Sequence, residues 1–228
     1  MPVADESMLD NPVWFAMTGP QQHLALRRGR AARFDPAMSA FVGLADDDDA
    51  SWNDLAQLLG PASPAVMFRT GRVPRDWTET FSGTGFQMLA ESVTPREDPE
   101  IVVLGPDDAG DMLELARRTR PGPFEARTHE FGGYLGVRRD GILVAMAGER
   151  MHPPGWTEIS AVCTDEAARG QGLAGRLVRA VASSISARGD QPMLHVSASN
   201  TGAISLYERL GFRIRREVGF VGYLSPAG

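Results

Sequence analysis

Two hydrophobic rhythms alternate along the second half of the chain. Over residues 107–118, Met112, Leu115 and Ala116 share one helical face. Pro106 precedes that stretch, acids open it, and Arg117 and Arg118 close it, so a helix is expected. Residues 119–123, Thr-Arg-Pro-Gly-Pro, end it. A shorter helix is expected over 124–130, before Gly132-Gly133. Period-two stretches follow at 134–138, 142–149 and 156–164, with the hairpin signal Asp140-Gly141 and the turn Pro153-Pro154-Gly155 between them. Leu173, Leu177, Val181 and Ile185 then fall four apart, which predicts an amphipathic helix over 173–188. A strand is expected at 193–197, a helix at 201–210, and two short strands within 212–223.

The first 98 residues follow a weaker version of the same order. Residues 33–44 read as strand-rich and 51–59 as a helix capped by Ser51 or Asn53. Residues 65–68 read as a strand, 77–81 as a turn of helix, and 85–89 as a strand opened by Gly85-Phe86. Residues 95–99, Pro-Arg-Glu-Asp-Pro, read as a linker. The chain divides accordingly into residues 1–98 and 99–228.

Composition narrows the function classes. With 228 residues the chain can bury a substantial core. A net charge of −6 argues against non-specific nucleic-acid binding, which needs a basic face. No apolar run approaches a membrane span, and the acidic start carries no secretory pattern, so a cytoplasmic location is expected. One cysteine excludes an internal disulfide and a multi-cysteine metal site; no metal is expected. The run Asp46-Asp47-Asp48-Asp49 reads as a solvated loop capping the next helix rather than a metal site. The cluster Arg27-Arg28-Gly29-Arg30 reads as solvated surface.

The segment Arg169-Gly170-Gln171-Gly172-Leu173-Ala174-Gly175 joins an apolar strand to a helix. Glycines let backbone N–H groups approach an anion, and a helix start offers unpaired donors at the positive end of its dipole. Gly170-x-Gly172-x-x-Gly175 fits the dinucleotide fingerprint, but five residues separate strand from loop. The position about twenty residues later holds His195 rather than an acid. Arg169-x-x-Gly172-x-Ala174 also resembles the Gln/Arg-x-x-Gly-x-Gly/Ala loop of the GNAT N-acetyltransferase superfamily. The stretch 200–212, Asn-Thr-Gly-Ala-Ile-Ser-Leu-Tyr-Glu-Arg-Leu-Gly-Phe, resembles that family's late Asn-x-x-Ala…Tyr-x-x-x-Gly-Phe block. The two motifs stand in the family's order and separation, and the resemblance covers residues from near Glu100 onward.

The resemblance implies an α/β (α+β) GNAT acyltransferase fold, a mixed and mostly antiparallel sheet flanked by helices. The smaller N-terminal α/β region then reads as a degenerate GNAT-like half, with the Asp46–Asp49 run where the phosphate loop would lie. Four carboxylates there would repel a pyrophosphate, so that half reads as a packing or substrate-covering partner without a CoA site. The implied activity is transfer of an acetyl group from acetyl-CoA to a primary amine, a small molecule or a peptide N-terminus. The alternative is a non-catalytic acyl-CoA-binding or regulatory module. The backbone of Gly170, Gln171, Gly172, Leu173, Ala174 and Gly175 would hold the pyrophosphate, with charge from Arg169 and Arg176. Val162, Cys163 and Thr164 would pair with the pantetheine arm, and an N–H near Val162 would polarise the carbonyl. Asn200, within the Asn-x-x-Ala203 block, would bond the CoA arm or cap its helix. Tyr207 would be the general acid or a packed core tyrosine.

The base is open between Glu158, first by its strand position, and Glu149; for each a structural carboxylate is the plain alternative. His195 reads as a strand histidine with a satisfied hydrogen bond, and Cys163 as a nucleophile lacks an evident partner. Residues 121–130 and 151–155 are expected to shape the acceptor site, with Phe124, Phe131, Trp156 and Tyr223 as candidate pocket walls. The acidic chain favours a cationic acceptor at long range. The expected partners are the amine and a second copy of the chain in a homodimer, with no nucleic acid and no membrane.

Overall fold

Residues 4–68, 73–94, 96 and 98–227 are described in the computed structural model of the chain. The expected linker falls partly outside them, at Pro95 and Glu97, as do Met1, Pro2 and Val3.

The first half opens with helix α1 (Pro12–Thr18), which starts on Pro12, where the missing N–H costs nothing. Strands β1 (Ala25–Arg28), β2 (Ala31–Phe34) and β3 (Val42–Leu44) form a three-stranded antiparallel sheet. Helix α2 (Asp49–Leu59) is capped by Asp48, whose carboxylate accepts the Ser51 N–H at 2.8 Å, so the helix begins earlier than a Ser51 or Asn53 cap would allow. Trp52, Leu55 and Leu59 are its buried face, set against Trp77 and Tyr223. Strands β4 (Pro64–Phe68) and β5 (Thr78–Ala90) follow. The turn of helix expected at 77–81 is instead the start of β5, where Thr78, Glu79 and Phe81 pair with the end of the last strand. Long-range pairing overrides the local signal there.

The second half contains β6 (Ile101–Leu104), α3 (Ala109–Thr119), β7 (Tyr134–Arg139), β8 (Ile142–Glu149) and β9 (Trp156–Thr164). After them come α4 (Leu173–Ala187), β10 (Gln191–Ser197), α5 (Thr201–Leu210) and β11 (Phe212–Leu224). The periodicity of α4 is realised: Leu173, Leu177, Val181 and Ile185 are all buried against the sheet. Asp140 and Gly141 both take positive φ, +50° and +81°, as the β7–β8 hairpin turn requires. The helix expected over 124–130 shrinks to a short 3₁₀ turn at Thr128–Phe131. The two strands expected within 212–223 are one strand with a bulge at Arg215, between the paired residues Ile214 and Arg216.

Eight strands form one sheet in the order β4-β11-β5-β10-β9-β8-β7-β6. It is antiparallel except where β9 and β10 run side by side. The boundary near residue 98 therefore divides the chain but not the sheet: β5 from the first half lies between β11 and β10 of the second. A single parallel bridge, Phe41 to Val66, ties β3 to β4. Among the described residues no helix is long and apolar enough to cross a membrane, and no group of metal-binding side chains is present.

Candidate active site

The two parallel strands separate half-way along. β9 pairs with β10 from Trp156 opposite Gln191 to Ile159 opposite Leu194, and no further. Beyond that point β9 continues to Thr164 and β10 to Ser197 with a gap between them. On the gap side, the backbone of Ser160–Thr164 has no strand partner, and such groups demand one when enclosed. The strand is also bulged here. Ala161 and Val162 together oppose Ala147 of β8, and Ala161 takes φ +52°, a left-handed conformation costing an alanine about 1–2 kcal/mol. Thr164 adds a buried Oγ1 without a hydrogen-bond partner.

The gap opens into a cavity of about 1000 Å³, at the top of the range for small-molecule sites. One end is the loop before α4. Gly170 and Gly172 take φ +80° and +73°, and a Cβ on either would meet open space. Their backbone faces a vacant approach, and Gly172 starts the helix. Gly175 differs: it is buried, and a Cβ on it would lie 3.5 Å from Leu206 of α5, in ordinary contact. Of the residues assigned from sequence to hold a cofactor, Val162, Cys163, Thr164, Arg169, Gly170, Gly172, Leu173, Ala174, Gly175, Asn200, Ala203 and Tyr207 all line this cavity. Gln171 does not, and Arg176 is turned away into bonds with Asp98 and Glu100.

Asn200 caps α5, its Oδ1 accepting the Ala203 N–H at 3.1 Å, while also facing the cavity. Tyr207 packs beside Phe212, and burial pushes its hydroxyl up to about 12. It therefore keeps its proton at neutral pH. Burial also pushes the Cys163 thiol up to about 11, which leaves almost no thiolate and argues against an acyl-carrying nucleophile.

Neither carboxylate considered as a base lines the cavity. Glu158 is fully buried. Burial alone would raise its pKa, but the Arg150 guanidinium, gripping both oxygens at 2.6 and 2.8 Å, and His195 hold it at about 2. A carboxylate so stabilised is a weak base. Glu149 points to the opposite face, bonded to Arg188 at 2.7 Å.

His195 does line the cavity but is tied on both nitrogens. Gln87 gives its amide N–H to Leu9 O and takes a bond from Arg215 on its oxygen, which fixes the amide's orientation. Its nitrogen lies 3.1 Å from His195 Nε2, so Nε2 accepts, and Nδ1–H donates to Glu158 at 2.8 Å. His195 is thus a mid-strand histidine whose ring nitrogens are both hydrogen-bonded.

The aromatic walls anticipated from sequence lie elsewhere. Phe131 packs on Phe34, and Tyr223 sits between Trp52 and Trp77. Trp156 donates its indole N–H to Asp5 O, and Phe124 stacks edge-on against Tyr134. Besides Tyr207 and His195, the rings that line the cavity are Phe41, Phe68, Phe81 and Phe220, the first three from the first half. Strand ends carrying a phenylalanine gave no local signal for this, because the exchange of strands between the halves brings them together.

The family described as "FR47-like protein" matches residues 134–221. Among solved structures, the chain is similar to a protein assigned to the GNAT acetyltransferase family from Novosphingobium aromaticivorans. Identity is 42%, with 94% of this chain and 97% of that one covered and a TM-score of 0.87. A GCN5-related N-acetyltransferase from Kribbella flavida shares the fold at 15% identity, with 95% and 96% covered and a TM-score of 0.62. None of the curated proteins matches.

Proposed function

The chain belongs to the GNAT family of acetyltransferases, and from that premise we propose that it moves an acetyl group from acetyl-CoA to a primary amine. The observation that carries this reading is the meeting of three features in one cavity: the parted lip of β9, the Gly170–Gly172 loop and the protonated Tyr207. The residues fit the cosubstrate. The loop and the start of α4 would hold the pyrophosphate through backbone N–H groups, with Arg169 adding charge. The backbone of Val162–Thr164 that β10 leaves unpaired would bond the pantetheine arm.

When bound, acetyl-CoA supplies an activated thioester. The protein's part is placement and charge. A backbone N–H near Val162, on the bulged stretch, would meet the carbonyl oxygen as it gains charge. Tyr207 would give its proton to the departing sulfur, a role its raised pKa allows. Asn200 would bond the CoA arm while it caps α5. Glu158 acts as a positioning residue that orients Arg150 and His195. No Asp or Glu lines the cavity among the described residues, so the acceptor enters as the neutral amine and its proton leaves to water.

The first half reads as a degenerate copy of the second. The order β1-β2-β3, loop, α2, β4, β5 parallels β7-β8-β9, loop, α4, β10, α5, β11 apart from α5, and each half's last strand is exchanged into the other's part of the sheet. Thermal unfolding with acetyl-CoA, CoA or NAD at equal excess tests the function. A ligand at a hundred times its Kd raises stability by about 2.7 kcal/mol. A shift with both CoA species and none with NAD, followed by thiol release with an amine, is the expected result. A shift with NAD alone would return the loop to the dinucleotide reading, and CoA binding without thiol release from any amine would leave a binding module.

A further inference from the structure

The end of the cavity away from the glycine loop is an aromatic chamber. Phe41 and Phe68 stack with ring centres 4.8 Å apart, Phe68 meets Phe220 edge-on at 5.0 Å, and Phe68 also stacks on His195 at 4.3 Å. Phe81 closes the rim. It is 51% exposed, an unusual position for a phenylalanine with no core to fill. Two of these rings occupy places that glycines leave open. A Cβ on Gly222 would lie 2.2 Å from the Phe81 ring, and one on Gly85 would lie 2.2 Å from the Phe220 ring.

The charge of this chamber is equally specific. Its ionised group is Arg150, whose guanidinium lies 4.9 Å over Phe41 while Glu158, beneath, neutralises it. His195 is bonded on both ring nitrogens, to Gln87 and Glu158. A second ammonium on the acceptor would enter a cavity lined by Arg120, Arg150, Arg169, Arg209 and four phenylalanine rings, with no carboxylate among the described residues. Such a group loses its water, meets no carboxylate, and finds ring faces that Arg150 already occupies with a like charge, a penalty that discriminates against it. An aromatic or bulky apolar body instead exchanges water for ring contacts.

Resting on the acetyltransferase reading, we infer that the acceptor is a monoamine carrying an aromatic or bulky apolar group, seated between Phe68, Phe81 and Phe220, and not a polyamine or an aminoglycoside. The attraction expected from net charge acts on the ammonium that any such amine carries in solution; the lining of the cavity bears on the rest of the acceptor.

The test measures CoA thiol release by the full chain at saturating acetyl-CoA. Its acceptors are 2-phenylethylamine, L-phenylalanine amide and spermidine. The expected kcat/KM is about a hundredfold higher for the two aromatic amines than for spermidine. Phe81→Ala, at an exposed position that leaves the fold intact, is expected to raise KM for 2-phenylethylamine about tenfold with kcat nearly unchanged. Phe81→Trp is expected to restore it, and spermidine turnover should not respond to either change. Equal use of spermidine, an equal effect of Phe81→Ala on both amine classes, or no turnover of any aromatic amine would overturn the inference. So would a preference for hexanoyl-CoA over acetyl-CoA that Phe81→Ala abolishes, since the chamber would then hold the acyl chain. Thermal unfolding with acetyl-CoA separates the two levels. Stabilisation without aromatic preference removes this inference alone, and no stabilisation removes the acetyltransferase reading with it.

Discussion

On the proposed repeat, the two halves of the chain treat corresponding places in the fold in opposite ways. In the second half, β9 and β10 part to open a cavity of about 1000 Å³ that ends at glycines. In the first half, the ends of β3 and β4 flank a space of about 250 Å³, lined by Asp46, Asp47 and Asp10. That smaller space is plugged by the chain itself. Asn11 donates its amide N–H to the Leu44 carbonyl at 2.7 Å, which satisfies strand-end backbone that stays free at Ser160–Thr164. Gly43 admits the Trp14 backbone to 2.9 Å of where a Cβ would lie, closing the space further. At the loop, Asp48 caps α2 and Arg30 pairs with Asp46 and Asp48. Glycine thus leaves backbone N–H groups bare beside the larger cavity, and carboxylates consume them beside the smaller one. The first half also contributes Phe41, Phe68 and Phe81 to the larger cavity.

The largest effect is expected where the halves meet. Arg150 lies over Phe41 and Phe68 of the first half and is bonded to Glu158 of the second. Arg150→Ala leaves a buried carboxylate uncompensated and should destabilise the protein by about 3–5 kcal/mol in denaturant unfolding. The double variant Arg150→Met/Glu158→Leu should recover most of that loss. If the single variant is silent, the pair does not join the halves.

Acid probes the same joint without mutation. The folded pKa of Glu158 is depressed from 4.5 to about 2, so its contribution is complete above about pH 4.5 and is lost as pH falls through 2. By the size of the shift, roughly 3 kcal/mol should disappear across that window. In Glu158→Gln, stability measured against pH should be flatter there. Tyr207→Phe addresses chemistry that only the second half carries. It should lower kcat about a hundredfold while leaving the KM for acetyl-CoA nearly unchanged. An equal fall in both would mark Tyr207 as a packing residue. The smallest effect is expected at Asp48, the first half's loop. Asp48→Ala should lower Tm by about 2–4 °C through the lost cap and leave acetyl-CoA affinity unchanged.

What could be read without coordinates follows from how local each signal is. The helix over 173–188 and the Asp140-Gly141 hairpin are written in neighbouring residues and form as expected. The glycine loop is also local, and Asn200 and Tyr207 sit on one short helix. The start of β5 was hidden because Thr78–Phe81 becomes strand only by pairing with Gly222–Leu224, more than a hundred residues away. The surroundings of Glu158 were hidden for a related reason. Strand alternation placed it on a definite face, but Arg150, just past the end of β8, and His195 of β10 reach it from outside its own strand. The aromatic chamber was invisible because its walls come from β4, β5, β11 and the residue before β3, in both halves.

Titration calorimetry of CoA tests the central claim most directly. The account predicts one site per chain, kept in Asp48→Ala and lost or weakened at least about a hundredfold in Gly172→Val. The bulky residue there would strain the φ +73° position and block the bare N–H groups. Two sites per chain, or tight binding that survives Gly172→Val and disappears in Asp48→Ala, would contradict the division of labour between the halves.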